Sequence, residues 1–313
     1  MKRYLHEFLL DPRVIDIPRW KRELLVRAVI VPRRIESTTL SYKKVWTEEG
    51  SPLLFWGNKV RDALQSTLGN QYDVQLAMRY QTPSLKKALE ALSHCPKLTI
   101  IPLFPQYASA TTGSVYEFIM NEIKSWNRFP SLNLISSYPT DSYMIEAFAQ
   151  KAKDMDYQKY EHILFSFHGL PLRHLIKGDG VGVCQKIKEC CAKKLNSRCY
   201  ASECFMTANA IAHHLNISKD RFQVTFQSRL GKEPWLEPFT QETVINLAKK
   251  GVKSILVFSP SFVADCLETL YEIGIELNNE FCHFGGDKLD LVPSLNDHPL
   301  WIKSLENFVL QKN

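Results

Sequence analysis

No apolar run in the 313-residue chain approaches the roughly 20 residues a membrane-spanning helix needs. The opening Met1-Lys2-Arg3-Tyr4 is charged, and the apolar segment of a secretory signal is missing. Together these absences predict a cytoplasmic protein. Low-complexity tracts and short repeats are absent. Helix-turn-helix, finger and RNA-binding signatures are absent as well, so no nucleic-acid partner is expected. Gly178, Gly180 and Gly182 do not join a strand directly to a helix; they read as a loop, not as a dinucleotide fingerprint. The chain also opens straight into a helical pattern, Lys2–Leu10, with no strand ahead of it.

What is present describes an ordinary globular protein: 45% hydrophobic residues, 23% charged, and length enough for two domains with real cores. The net charge of +6 is concentrated early in the chain. Arg13, Arg19, Lys21, Arg22, Arg27, Arg33, Arg34, Lys43 and Lys44 are interleaved with Trp20 and Trp46. An acidic membrane surface or an anionic small molecule suits that mixture, and so does a plain solvated face.

Strand-like and helix-like patterns alternate. Strands are predicted over Asp73–Arg79, Leu98–Leu103, Leu132–Ser136, Ile163–Phe167, Phe222–Phe226, Ser254–Phe258 and Leu289–Val292. Helices are predicted over Phe55–Leu68, Ser84–Leu92, Val115–Trp126, Ser142–Met155, Gln241–Lys250, Leu267–Asn279 and Pro299–Leu310. The alternation argues for an α/β fold of parallel sheets covered by helices. The two halves look like similar units, residues 1–155 and 156–296, with the last helix (about 297–313) packed back on the first.

Within Leu164-Phe165-Ser166-Phe167-His168-Gly169-Leu170-Pro171, a short apolar strand ends in a histidine. Open α/β sheets place ligand chemistry at that end of a strand. A lone histidine there is more often a satisfied loop residue. A partner is found downstream: Asp265, Glu268, Glu272 and Glu276 follow the strand Ser254–Phe258. The three glutamates, spaced by four, share a helix face, where like charges repel by roughly 0.2–0.5 kcal/mol per pair. On an exposed helix this would be a solvated acidic face. Here the flanks are apolar (Phe262, Val263, Leu267, Leu270, Tyr271), and carboxylates in an apolar cleft acquire shifted pKa values and can relay protons or guide a cation. If His168 faces Glu268, the pair forms a histidine–carboxylate site for a divalent metal.

The eight cysteines are unevenly spread. Cys184, Cys190, Cys191, Cys199 and Cys204 crowd one segment, which in a reducing compartment favours metal over disulfide. Paired Cys-x2-Cys knuckles are missing, so an iron–sulfur cluster fits better than structural zinc, and a metal-free segment is the third possibility.

Several ordered motifs resemble the ferrochelatases, lyases that insert ferrous iron into a porphyrin. They are Phe8-Leu9-Leu10-Asp11-Pro12-Arg13-Val14-Ile15-Asp16, Glu49-Gly50-Ser51-Pro52-Leu53, Met78-Arg79-Tyr80, Pro102-Leu103-Phe104-Pro105-Gln106-Tyr107, Leu164–Arg173, Thr225-Phe226-Gln227-Ser228-Arg229-Leu230-Gly231 with Pro234-Trp235-Leu236, and Phe262–Leu270. The resemblance implies two similar Rossmann-like, four-stranded domains with a porphyrin cleft between them, the first lacking its usual N-terminal strand. It implies His168 and Glu268 as the metal-facing catalytic pair for Fe2+, with Asp265 and Glu272 on the acidic path. Arg79, Tyr80, Tyr107 and Trp235 are implied to line the porphyrin, and Arg34, Tyr42 and Ser51 to hold a propionate. Cysteine segments like 184–204 carry a [2Fe-2S] cluster in some bacterial members, which implies Cys184, Cys191, Cys199 and Cys204 as ligands, with Cys190 an alternative to Cys191. Protohaem formation from protoporphyrin IX is the implied reaction; coproporphyrin III metallation, cobalt insertion or an impaired haem- or cluster-binding homologue are the alternatives. The basic N-terminal region fits peripheral contact with the inner membrane.

Overall fold

The structure, a computed structural model, describes residues 1–184, 190, 198–229, 231 and 233–310. Two compact units divide the chain. The first comprises residues 1–102, 107–136 and 305–313; the second comprises 103–106 and 137–304. Among the described residues no helix is long and apolar enough to cross a membrane.

In the first unit, α1 (Lys2–Leu9) buries Leu5 and Leu9, one turn apart on a single face. A second helical stretch runs as α2 (Arg19–Leu24), a π segment (Leu25–Ile30) and α3 (Val31–Val45). Pro32 has no N–H to donate and crowds the turn before it, so the wide π turn directly ahead accommodates it. Val26 and Val31 close a small core with Leu5, Leu9 and Ile15. After α4 (Pro52–Leu68) comes α5 (Leu85–Ala91), capped by the Ser84 hydroxyl accepting from the Lys87 N–H. Strand β1 (Lys97–Ile100), a π segment (Ser109–Gly113), α6 (Ser114–Ile123) and β2 (Ser131–Leu134) complete the unit. The two strands pair in parallel. Leu89, Leu98, Val115, Ile119 and Ile123 form the core beside them.

The first sheet therefore has two strands among the described residues, not the four-stranded family pattern less one member. The segment Asp73–Arg79, expected as a strand, joins no ladder. Its backbone donors are diverted: the Val74 N–H donates to Gln65 Oε1 at 2.9 Å and the Met78 N–H to the Pro83 carbonyl at 2.7 Å. Alternating apolar residues alone do not supply a neighbouring backbone to pair with.

The second unit opens with α7 (Ser142–Asp154), whose N-cap Asp141 accepts from the Met144 N–H at 2.9 Å. There follow β3 (His162–His168), α8 (Leu172–Gly178), α9 (Tyr200–His214), β4 (Phe222–Gln227), α10 (Thr240–Lys249) and β5 (Ser254–Phe258). Then come α11 (Leu267–Leu270), a π segment (Glu272–Leu277), α12 (Asn278–His283), β6 (Lys288–Leu291) and α13 (Pro299–Leu310), whose residues from 305 onward belong to the first unit. The sheet is fully parallel in the order β4-β3-β5-β6. Residues 163–167 of β3 are all buried, as expected of a central strand covered on both faces. Leu164, Ile255, Val257 and Leu289 pack against Val244, Ile273, Leu277 and Phe281, and Phe165 stacks on Phe258 at 4.8 Å.

This order fixes the position of the chemistry. From β3 the chain moves outward to β4; from β5 it moves outward to β6 in the opposite direction. The carboxyl ends of β3 and β5 therefore flank a topological switch point, where an open parallel sheet leaves a crevice.

Candidate active site

His168 is the last residue of β3, and the 259–268 segment leaves β5 beside it. Several contacts fix the histidine. Its N–H donates to Ser261 Oγ at 3.3 Å, its carbonyl accepts from Tyr200 Oη at 2.7 Å, and its ring meets Phe262 edge-on at 6.3 Å. The next N–H, of Gly169, donates to the Gln227 carbonyl at 2.7 Å. A β-carbon at Gly169 would lie 2.9 Å from the Gln227 carbonyl oxygen, 3.0 Å from that of Ser228 and 3.4 Å from the Trp235 ring. Only glycine allows β4 and Trp235 this close.

Nδ1 of His168 lies 2.7 Å from the Gly169 carbonyl. A carbonyl can only accept, so Nδ1 carries the proton and Nε2 keeps its lone pair when the ring is neutral. Burial pushes the histidine pKa below its ordinary value, while the Glu268 charge and the Gly169 carbonyl pull it upward. At neutral pH the ring is a base or ligand with one open nitrogen.

Glu268 sits in the single turn of α11, where Gln227 Nε2 donates to its backbone carbonyl at 3.1 Å. Gln227 is held in turn by Ser166 Oγ at 2.8 Å, within a buried hydroxyl network of Thr240 and Thr225. Glu272 opens the π segment. Burial first, then repulsion from Glu268, raises its pKa to about 7; the Ser228 hydroxyl, donating to Glu272 Oε2 at 2.7 Å, opposes the rise. Ser228 reaches it from a left-handed backbone conformation, φ 58°, which costs a non-glycine residue roughly 1–3 kcal/mol and is characteristic of functional sites. Glu276 is exposed at the outer end of the row. Its N–H donates to the Tyr271 carbonyl five residues back, the bond that defines the π turn.

Asp265 is buried, and its oxygens accept from the Ser294 N–H at 3.1 Å, Asn296 Nδ2 at 2.8 Å and Thr269 Oγ1 of α11 at 3.4 Å, tying the loop after β6 to the loop after β5.

A histidine base beside a graded pair of carboxylates, built at a sheet switch point, is a device for accepting protons and handling a cation. The whole chain, residues 1–313, matches the ferrochelatase family. The chain belongs to that family. It is 42% identical over 309 residues to a ferrochelatase of Legionella pneumophila (strain Philadelphia 1), covering 99% of this chain and 93% of the relative. With a ferrochelatase of Coxiella burnetii (strain Dugway 5J108-111) it shares 39% over 310 residues, 97% of this chain and 86% of the relative. Among solved structures, SirB from Bacillus subtilis with Fe3+ superposes with a TM-score of 0.54 at 15% identity, covering 83% of this chain and 90% of that one. That likeness shows the chelatase-type fold alone.

The first unit gathers a different cluster. Asp11 is buried, and its Oδ2 accepts from Arg79 Nη2 at 2.8 Å, Tyr80 Oη at 2.9 Å and Ser114 Oγ at 2.5 Å. Arg79 Nε also donates to Ser114 Oγ at 2.7 Å, and its guanidinium lies between the Tyr80 and Phe118 rings at 4.8 and 5.0 Å. Burial and the Asp11 charge push the Tyr80 hydroxyl pKa well up, so it stays a donor. Tyr107 Oη approaches Gly113, where a β-carbon would meet it at 3.2 Å. Tyr42 stacks edge-on with Tyr4 at 6.4 Å, Ser51 directly precedes α4 without a side-chain cap hydrogen bond, and Arg34 is exposed on α3. In the second unit Trp235 pairs with Pro171 across an isolated bridge, beside Gly169.

The cysteine segment has the donor chemistry of an iron–sulfur site, five thiols in one stretch. Cys199 is the N-cap of α9, Cys204 is fully buried within it, and Cys184 and Cys190 are half-buried. Cys191 lies outside the described residues. Among the described residues no three His, Cys, Asp or Glu side chains come together as a metal site.

Asp11, Ser114, Tyr200, Gln227, Ser228 and Ser261 were not singled out from sequence. Each acts across a gap of 32 or more positions.

Proposed function

We propose that the chain is a lyase that inserts ferrous iron into protoporphyrin IX to give protohaem. The observation that carries this reading is His168 with an open Nε2 beside Glu268 and Glu272, in a chain of the ferrochelatase family. Metallation must remove two pyrrolic protons while a hydrated cation loses water. Nε2 accepts a proton, and a neighbouring carboxylate titrating near 7 passes it on at cellular pH. In the second unit, Trp235 offers an aromatic face to the macrocycle. In the first, Arg79, Tyr80 and Tyr107 line the porphyrin, and Arg34, Tyr42 and Ser51 engage a propionate; the planar charged fork of arginine suits a carboxylate.

Anaerobic incubation of purified protein with Fe2+ and either protoporphyrin IX or coproporphyrin III tests the reading. Faster metallation of protoporphyrin is expected. Preference for coproporphyrin, or for Co2+ over Fe2+, would move the assignment to those substrates, and no metallation at all would overturn it.

The cysteine segment is proposed to hold a [2Fe-2S] cluster through Cys184, Cys199, Cys204 and Cys190 or Cys191. The crowding of five thiols between positions 184 and 204 supports this. Anaerobically purified protein should show charge-transfer absorption with matching iron and sulfide; their absence rejects the cluster. A cytoplasmic protein with peripheral contact at an acidic membrane surface is proposed from the basic α2–α3 stretch, where Trp20 and Leu24 are 67% and 63% exposed. Sedimentation with anionic vesicles, lost in Trp20→Ala/Leu24→Ala, tests it.

A further inference from the structure

Three groups close a ring around the backbone of His168. The His168 N–H donates to Ser261 Oγ at 3.3 Å, and Tyr200 Oη donates to the His168 carbonyl at 2.7 Å. The Tyr200 and Ser261 oxygens are 3.4 Å apart. Tyr200 spends its only proton on the carbonyl, so Ser261 donates to Tyr200 and accepts from His168. Both backbone polar groups of the histidine are thereby fixed by side chains, at the place where β3 has run out of ladder partners on the β5 side: His162 to Phe165 pair with β5, and His168 does not. The ring replaces the missing strand contact.

Tyr200 is also the first residue of α9, directly after Cys199.

We propose that Tyr200, at the start of α9, is a positioning residue for His168. The proposal rests on the role given to His168 under the proposed function. Tyr200 acts on orientation; it does not touch the reacting atoms.

Tyr200→Phe keeps the ring and its packing and removes only the hydroxyl. Its kcat for iron insertion should fall about fivefold to tenfold, the rate equivalent of one lost hydrogen bond, with the porphyrin KM within twofold of the parent. The His168 ring 15N resonances, assigned by their disappearance in His168→Ala, should shift, and so should their titration midpoint. Ser261→Ala should shift the same resonances, and the double variant should do no more than the larger single one.

Unmoved His168 resonances with kcat within twofold in Tyr200→Phe would overturn the positioning role, and so would a loss of thermal stability alone. If the parent metallates no porphyrin, the proposed function fails, and the resonances still decide the role of Tyr200.

Discussion

The two units hold their charged residues in opposite ways. In the first, Asp11 saturates Arg79, Tyr80 and Ser114 at once, and the guanidinium is clamped between two rings. In the second, His168 keeps Nε2 open and Glu272 is raised to about 7. A cluster with all donors paired gives rigidity and shape; a cluster with a deliberately unspent lone pair and a carboxylate near neutrality gives proton transfer. The four-stranded parallel sheet of the second unit supplies a switch point on which a reactive group can be mounted.

The sharpest way to break this comparison is to uncouple the clamp. Asp11→Asn leaves Arg79 without its counter-charge in a mostly buried setting, and about 3 kcal/mol of stability should be lost; a denaturant midpoint unchanged from the parent would refute the clamp. Next in size is the pH response of Glu272. Its folded pKa of about 7 lies above the ordinary 4.5, so between those values the folded state holds a proton that the unfolded chain has released. Stability contributed by this group is full below about 4.5 and lost as pH rises through 7. Glu272→Gln should remove that decline and leave the variant about 2 kcal/mol more stable than the parent at pH 8; parallel melting-temperature profiles would contradict it. Gly169→Ala places a carbon against two backbone carbonyls and should cost about 2 kcal/mol. Because the displaced segment carries His168, catalysis should suffer more than stability, as paired melting and turnover measurements would show. Smallest is Ser228→Ala. Losing the hydroxyl that favours the charged form should move the Glu272 midpoint further up, an effect worth about 1 kcal/mol, and carboxyl 13C titration reads it directly.

Much of this was legible in the sequence where one residue pattern answers to one local rule. Ser254–Phe258 and Pro299–Leu310 occupy the predicted residues, and His168 ends its strand as expected. The helix α9 was missed because it buries small and polar residues such as Ala201, Ser202, Thr207 and Ala208, leaving no clean apolar stripe. The run Arg19–Val45, taken from sequence only as a basic stretch, is helical, with a π turn directly ahead of Pro32. The glutamate row was foreseen as one helix face. The π segment that carries Glu272 was not, because hydrogen bonding to the fifth residue leaves no mark on apolar periodicity. Asp265, counted with the acidic row from sequence, is held by Ser294 and Asn296, about thirty positions on. Partners this distant are invisible to spacing arguments; the fold alone brings Tyr200 and Ser228 to their places.

The central claim is that the second unit's open histidine nitrogen carries the proton chemistry of metallation. Anaerobic single-turnover iron insertion by His168→Ala, with porphyrin binding followed in parallel by fluorescence quenching, tests it most directly. The expected result is a rate at least roughly 10³-fold below the parent with porphyrin affinity within threefold. A variant that metallates at the parental rate would contradict the account.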